Sequence, residues 1–312
     1  MFKQCEKYFR AHCHVLVVLV LLSILGTAVS IVSPYITGNI ITDISSGHSL
    51  FPILHKCKIL LLLFLLSHAM GVFSSVLKLK IELSMGKEFN CDVIFHIQDL
   101  PYSYIQSQNL SALNQAVNQD TNTIIAFCID LVLTVTTKIL NVLCVLFLCF
   151  SLNIEMSLII VISSILYTLL YLVLKKKLYA TRKNLRICES NFFAKLFEQL
   201  EFIYFIKTNS IESSFRKRVD DSFAKFTSAK VNDSYLQYLI SVLQSSISLL
   251  SQLILLIVGA QCVYNDKITI GLLITFSTYF SQVQNGILYF LNLGSSYQNA
   301  RVSSQRIHDR SE

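Results

Sequence analysis

The chain has 312 residues, 53% of them hydrophobic and 14% charged, with a mean hydropathy of +0.57. That balance excludes an ordinary soluble globular domain. The net charge of +7 would suit a nucleic-acid partner, but its placement follows membrane topology instead, and no nucleic acid is expected.

Six apolar stretches predict six transmembrane helices over about 12–36, 57–79, 124–150, 154–174, 235–264 and 268–297. Each is long enough to cross a hydrocarbon core about 30 Å thick. Backbone polar groups in lipid must be satisfied within the segment, so these are helices rather than open strands. The first stretch is too long for a signal-peptide core and precedes Pro34 without a convincing cleavage site, so it is expected to stay in place. His12-Cys13-His14 has the composition of a ligand set, yet adjacent helical residues point about 100° apart, and the triplet reads as interfacial. Ser33-Pro34-Tyr35-Ile36-Thr37-Gly38 is expected to loosen the end of helix one, ahead of a polar outer connection over 42–56.

Helix two continues past Lys78 as a more charged helix through Glu82, Lys87 and Asp92, until Leu100-Pro101 breaks it. This makes a first cytosolic arm of about 80–123, polar over 106–123. Only Ser151, Leu152 and Asn153 separate helices three and four. A second arm over 175–234 contains neither Pro nor Gly. Two antiparallel helices of about 28 residues there would project roughly 40 Å. Stalks of that kind suit a transporter driven by a soluble motor better than a secondary carrier, which would also be expected to show an internal repeat. The fold class is therefore an all-α membrane protein with two long helical cytosolic extensions.

Lys and Arg cluster on one side: Lys3, Lys7 and Arg10, then Lys78, Lys80 and Lys87, then the second arm with its Lys175-Lys176-Lys177 run, then the carboxyl tail. The other side holds only Lys56, Lys58 and Lys267, with Lys138 inside helix three. The positive-inside rule places both termini and both arms in the cytosol of a multi-pass protein, expected in a bacterial plasma membrane. Nine cysteines include no Cys-x-x-Cys pair. Cys128, Cys144, Cys149 and Cys262 fall within apolar runs and read as small packing residues, so no metal is expected.

Five segments together resemble the transmembrane domain of type I ABC exporters over nearly the whole chain. Pro34 through Asp43 is similar to the Pro…Gly…Ile-Asp stretch ending helix one of that family. Asp99-Leu100-Pro101-Tyr102-Ser103-Tyr104-Ile105, with Asp120 following, resembles the approach to its first coupling helix. Glu198-Gln199-Leu200 through Phe205-Ile206-Lys207 and Glu212 resembles the surroundings of the second. Ile268-Thr269-Ile270-Gly271-Leu272-Leu273 is similar to the Leu-Thr-Val-Gly entry to helix six, and Ala300 through Ile307 to its exit. The sequence departs where the family carries Gly then Arg before the first coupling aspartate, having Ser111 and Ala116. Residues 308–312 form a short tail where a nucleotide-binding domain would be expected. No Gly-x-x-x-x-Gly-Lys-Ser/Thr phosphate loop occurs, so ATP and Mg are expected on a partner or missing domain, with no cofactor in this chain.

The resemblance implies two six-helix units, as homo- or heterodimer, around a central cavity with helix pairs exchanged. An ABC-type ATPase would be seated on the coupling segments and would drive alternating access. The expected coupling residues are Asn109, Leu110, Ser111 and Asp120 in the first arm, and Glu201, Ile206, Lys207 and Glu212 in the second. The bland alternative for each is solvated surface. Expected cavity residues are polar groups within helices, which are costly in lipid unless satisfied. Lys138 and Asn141 lie on helix three, where Lys138 either meets an acidic partner or a wet cavity, or snorkels to the inner interface. Gln244, Ser248 and Gln252 form a stripe on helix five, and Gln282, Asn285, Tyr289 and Asn292 another on helix six. Interhelical hydrogen bonding is the alternative to transport for both stripes.

The expected cargo is amphipathic, lipid-like, drug-like or peptide. Two other functions fit the same residues: an inactive truncated exporter fragment, or a six-helix binding or regulatory membrane protein. No His-Glu-x-x-His or Gly-x-Ser-x-Gly motif points to an enzyme.

Overall fold

The computed structural model describes residues 2–99, 101 and 116–308. The described elements are helical throughout. They are α1 (Phe2–Ala11), α2 (Cys13–Ser45), α3 (Leu50–Asp99), α4 (Thr121–Asp130), α5 (Thr136–Leu152), α6 (Ile154–Glu201), α7 (Ile203–Thr208), α8 (Glu212–Tyr264) and α9 (Ile270–His308). Ala116–Asp120 and Leu131–Val135 are π-helical and lead into α4 and α5 respectively. The expected coupling residues Asn109, Leu110 and Ser111, and the tail 309–312, lie outside the described residues.

Among the described residues, five helical segments are long and apolar enough to cross a membrane: Cys13–Ser45, Leu50–Asp99, Val117–Leu152, Ile154–Glu201 and Glu212–Tyr264. The sixth expected helix is present as α9, but it is too polar to qualify by composition. Thr275, Tyr279, Gln282, Tyr289 and Ser303 of α9 bond to neighbouring elements, so α9 can be polar where a lipid-facing helix cannot. Leu61, Leu62 and Phe147, by contrast, are exposed on α3 and α5, as expected where the solvent is hydrocarbon.

The expectation that helix one loosens at Pro34 is not met: α2 runs through Pro34 to Ser45. The connection between α2 and α3 is correspondingly short, with α3 starting at Leu50 and Lys56 paired to Asp43 at 2.5 Å. Only Asn153 interrupts the next turn. Its extended backbone ends α5, and its Oδ1 accepts the Met156 N–H at the start of α6. Between α8 and α9 the chain turns through Asp266 at φ +55°, and Thr269 Oγ1 accepts the Leu272 N–H as the cap of α9. In that turn Lys267 Nζ donates to Glu155 at 2.6 Å, and this hydrogen bond raises the lysine above its ordinary pKa.

The chain divides into two compact units, Met1–Ile160 with Ile254–Glu312, and Val161–Leu253. The first has two cores. One gathers Leu19, Met85, Ile124, Ile125 and Ile129; the other gathers Val145, Met156, Phe276, Tyr279 and Phe280. Its α1 is fastened to α3, with Lys7 Nζ and the Tyr8 hydroxyl both donating to Asp92 at 2.7 Å. His12 meets Glu88 at 3.0 Å and Cys13 is exposed. No metal-binding cluster occurs among the described residues. In the second unit, Phe192 of α6 packs on Phe223 and Phe226 of α8, and Thr181 donates to the buried Asp233 at 3.1 Å.

Candidate functional site

Pro34 sets the geometry of the first unit. Having no N–H, it leaves the Ser30 carbonyl of α2 without its ladder donor. Gln282 of α9 supplies one, its Nε2 donating to Ser30 O at 2.9 Å. Tyr279 Oη donates to Ile31 O at 2.8 Å, and Thr275 Oγ1 to Pro34 O at 3.1 Å. Residues 275, 279 and 282 share one face of α9: Gln282 supplies the donor that the interrupted ladder lacks, and Tyr279 and Thr275 add bonds to the carbonyls beside it. Beyond them the backbones nearly touch at Gly38 and Gly271. A Cβ on Gly271 would fall 1.8 Å from Gly38 O, and one on Gly38 would fall 2.5 Å from Gly271 O. Thr42 and Thr269 close the row at 3.0 Å. Small residues let membrane helices approach this closely, and interhelical hydrogen bonds then hold them.

On the other side of Ser30 a cleft of about 540 Å³ opens between α2, α3, α5 and α9. Its polar lining includes Ser30, Ser74, Lys138, Asn141, Gln282 and Asn285. Asn141 Nδ2 lies 3.3 Å from Ser30 Oγ and 3.5 Å from Gln282 Oε1, which joins three helices at the cleft wall. Gly26 and Gly71 also line it, and a Cβ on either would meet open space. The structure thus brings Lys138, Asn141, Gln282 and Asn285 into one wall.

Tyr289 stands apart. Its hydroxyl donates to Asp130 Oδ2 at 2.8 Å; Asp130 Oδ1 accepts from Thr134 at 2.5 Å and lies 3.5 Å from Lys78 Nζ. The π-helical turn 131–135 directly follows this aspartate, and such turns recur where a helix carries function. Asn292 is exposed and does not line the cleft. Gln244, Ser248 and Gln252 are half-buried along α8, in the second unit.

Of the expected coupling residues, Asp120 is buried and accepts from Ser303 Oγ of α9 at 2.7 Å. Its carboxylate is therefore engaged inside the first unit. In the second unit Ile206 is buried and anchors α7, while Glu201, Lys207 and Glu212 are exposed. Around that anchor Tyr204 is 82% exposed and Phe202, Ile203 and Phe205 are about half exposed, an unusual concentration of open apolar surface.

Sequence reasoning passed over Ser30, Thr275 and Tyr279. The missing N–H of Pro34 inside a membrane helix was the available signal, because such a carbonyl needs a donor from elsewhere. The small-polar spacing of Ser67, Gly71, Ser74 and Ser75 likewise marked the cleft face of α3.

Residues 16–287 match the family described as the ABC transporter transmembrane region. The chain belongs to that family. Two segments by which it resembles ABC exporters, around Pro34–Gly38 and Thr269–Gly271, are the two that meet across α2 and α9. Among curated proteins, this ABC transporter membrane region is similar to "Lactococcin transport/processing ATP-binding protein LcnC-like" of Lactococcus lactis. The two are 23% identical over 225 residues, 69% of this chain and 30% of that protein. It is also similar to "Transport/processing ATP-binding protein ComA" of Streptococcus pneumoniae, 22% identical over 231 residues, 73% of this chain and 32% of that protein. The chain spans about a third of the length of the curated relatives it matches.

Proposed function

We propose that this ABC transporter membrane region is the membrane-spanning unit of an ATP-driven exporter, and that it moves a peptide-like, amphipathic cargo by alternating access. A second six-helix unit and an ABC-type ATPase domain that binds ATP and Mg are its partners, in a bacterial plasma membrane with both termini cytosolic. The observation that carries this reading is the cleft. It places a lysine and three amide side chains from two helices within a membrane bundle, a polar lining that packing alone does not require. Relatives whose names describe transport and processing, one of them of lactococcin, favour a peptide among the possible cargoes.

In this reading the segment Glu201–Glu212 docks on the ATPase through Tyr204 and Phe205, with Ile206 fixing α7 from behind. Gln244, Ser248 and Gln252 are cargo-facing residues of the second unit. Asp120 acts by holding the carboxyl end of α9 to the π-helical turn 116–120, so that movement of one is carried to the other.

Purification of the tagged full chain from gently extracted membranes, followed by mass spectrometry, tests the assignment. A stoichiometric ABC-type ATPase is expected, and its loss on Tyr204→Ala with Phe205→Ala at unchanged thermal stability. A chain that recovers no ATPase overturns the exporter reading.

A further inference from the structure

Lys138 is the cation in the cleft wall, half-buried on α5 and directed among Ser, Thr, Asn and Gln side chains. An ammonium within a membrane helix is costly unless it is paired or wet. Among the described residues no carboxylate lies within 4 Å of it, while the other lysines of the first unit that form ion pairs have their own partners: Lys7 with Asp92, Lys56 with Asp43, Lys78 with Asp130 and Lys267 with Glu155. Asp130, two turns earlier in the continuous helical segment Val117–Leu152, is the nearest acid in the sequence. It is already engaged by Lys78, Tyr289 and Thr134. Lys138 is therefore left without an ion-pair partner among the described residues, and its ammonium group lines the cleft.

The space and chemistry around it fit a ligand. A cleft of about 540 Å³ lies within the range of small-ligand sites, roughly 300–1,000 Å³. Gly26 and Gly71 leave its opposite walls unfilled. Asn141, Gln282 and Asn285 offer the paired donors and acceptors that a peptide backbone can use, and Lys offers three donors without the planar geometry Arg imposes.

We infer that Lys138 is an anion-recognition residue, which receives a carboxylate of the cargo while the neighbouring amides bind its polar backbone. This rests on the exporter reading above. The carboxylate comes from a carboxyl terminus or from an Asp or Glu side chain. A polar wall of this kind favours a peptide over the acyl chains that accompany a lipid phosphate.

The test uses the full chain in phosphatidylcholine nanodiscs and three radiolabelled, N-acetylated pentapeptides of uncharged residues. One ends in a free carboxylate, one in an amide, and one in an amide with a single Asp. A charge-assisted contact should make at least one carboxylate peptide bind about tenfold to a hundredfold tighter than the neutral amide. Which of the two gains identifies the source of the carboxylate. Lys138→Met should erase the preference and Lys138→Arg should retain it, at wild-type unfolding temperature. Equal binding of all three peptides overturns this inference alone, as does a preference that survives in Lys138→Met. Displacement of the peptides by phosphatidylglycerol at a few per cent of the bilayer overturns it in favour of a lipid phosphate. A chain that binds none of the peptides overturns it together with the peptide-export reading.

Discussion

Gly271→Ala should be among the most damaging single-methyl additions to this protein. The new Cβ would stand 1.8 Å from the backbone oxygen of Gly38, whereas an ordinary contact begins near 3.4 Å. A backbone atom cannot swing aside, so α2 and α9 must separate by about 1.5 Å locally. That stretches the contacts of Thr42 with Thr269, Thr275 with Pro34, Tyr279 with Ile31 and Gln282 with Ser30, all now between 2.8 and 3.1 Å. Interhelical hydrogen bonds in membranes average about 0.6 kcal/mol each, and overpacking adds about 1–3 kcal/mol. The better helix propensity of Ala returns about 1 kcal/mol. The net loss is roughly 2–4 kcal/mol, or about 5 °C or more in unfolding temperature. The chain has no tryptophan, but Cys128, Cys149 and Cys262 are buried. A maleimide dye that fluoresces on coupling to thiols therefore reports unfolding in detergent. Gly26→Ala, whose Cβ meets open space, is the control and should melt at or above the wild-type temperature. If Gly271→Ala melts together with Gly26→Ala, the close approach of α2 and α9 is refuted.

Gln282→Leu should cost about 1–2 kcal/mol by orphaning the Ser30 carbonyl, and much less in a Pro34→Ala background, where a backbone N–H is restored. A double-mutant cycle on unfolding temperature checks this, and additive effects would contradict it. Gly71→Phe should fill the cleft with little change in unfolding temperature while cutting cargo binding or transport at least tenfold; retained binding would show that the cleft is not the cargo site. Ser303→Ala should lower the unfolding temperature by a few degrees, because it removes the Ser303 hydroxyl from the buried Asp120 carboxylate, a loss of about 1–3 kcal/mol. The matching Asp120→Asn, which keeps a partner for Ser303, should lose less.

The membrane-spanning character and the helical class were legible because hydropathy and helix length report directly on the lipid environment. The break at Ser151-Leu152-Asn153 was equally plain, since it depends on local chemistry. The continuation of α2 through Pro34 was not. A proline's local effect is to break a helix, and only α9, more than two hundred residues away in sequence, supplies the side chains that override it. For the same reason periodicity grouped Gln282, Asn285, Tyr289 and Asn292 as one stripe, although Tyr289 is drawn off to Asp130. Period alone states which residues share a face, not which neighbour each one meets. Asp120 shows the converse, since a charged residue in a polar stretch reads as surface until its partner on α9 is known.

The repair of α2 by α9 also limits how this bundle can move. Sliding α9 along α2 by a single turn would break the bonds to Ser30, Ile31 and Pro34 together and drive a side chain into the Gly38–Gly271 crossing. Swinging the two helices as one body would cost none of these. The pair is therefore a rigid spar: any motion of this bundle that keeps these contacts must carry α2 and α9 together.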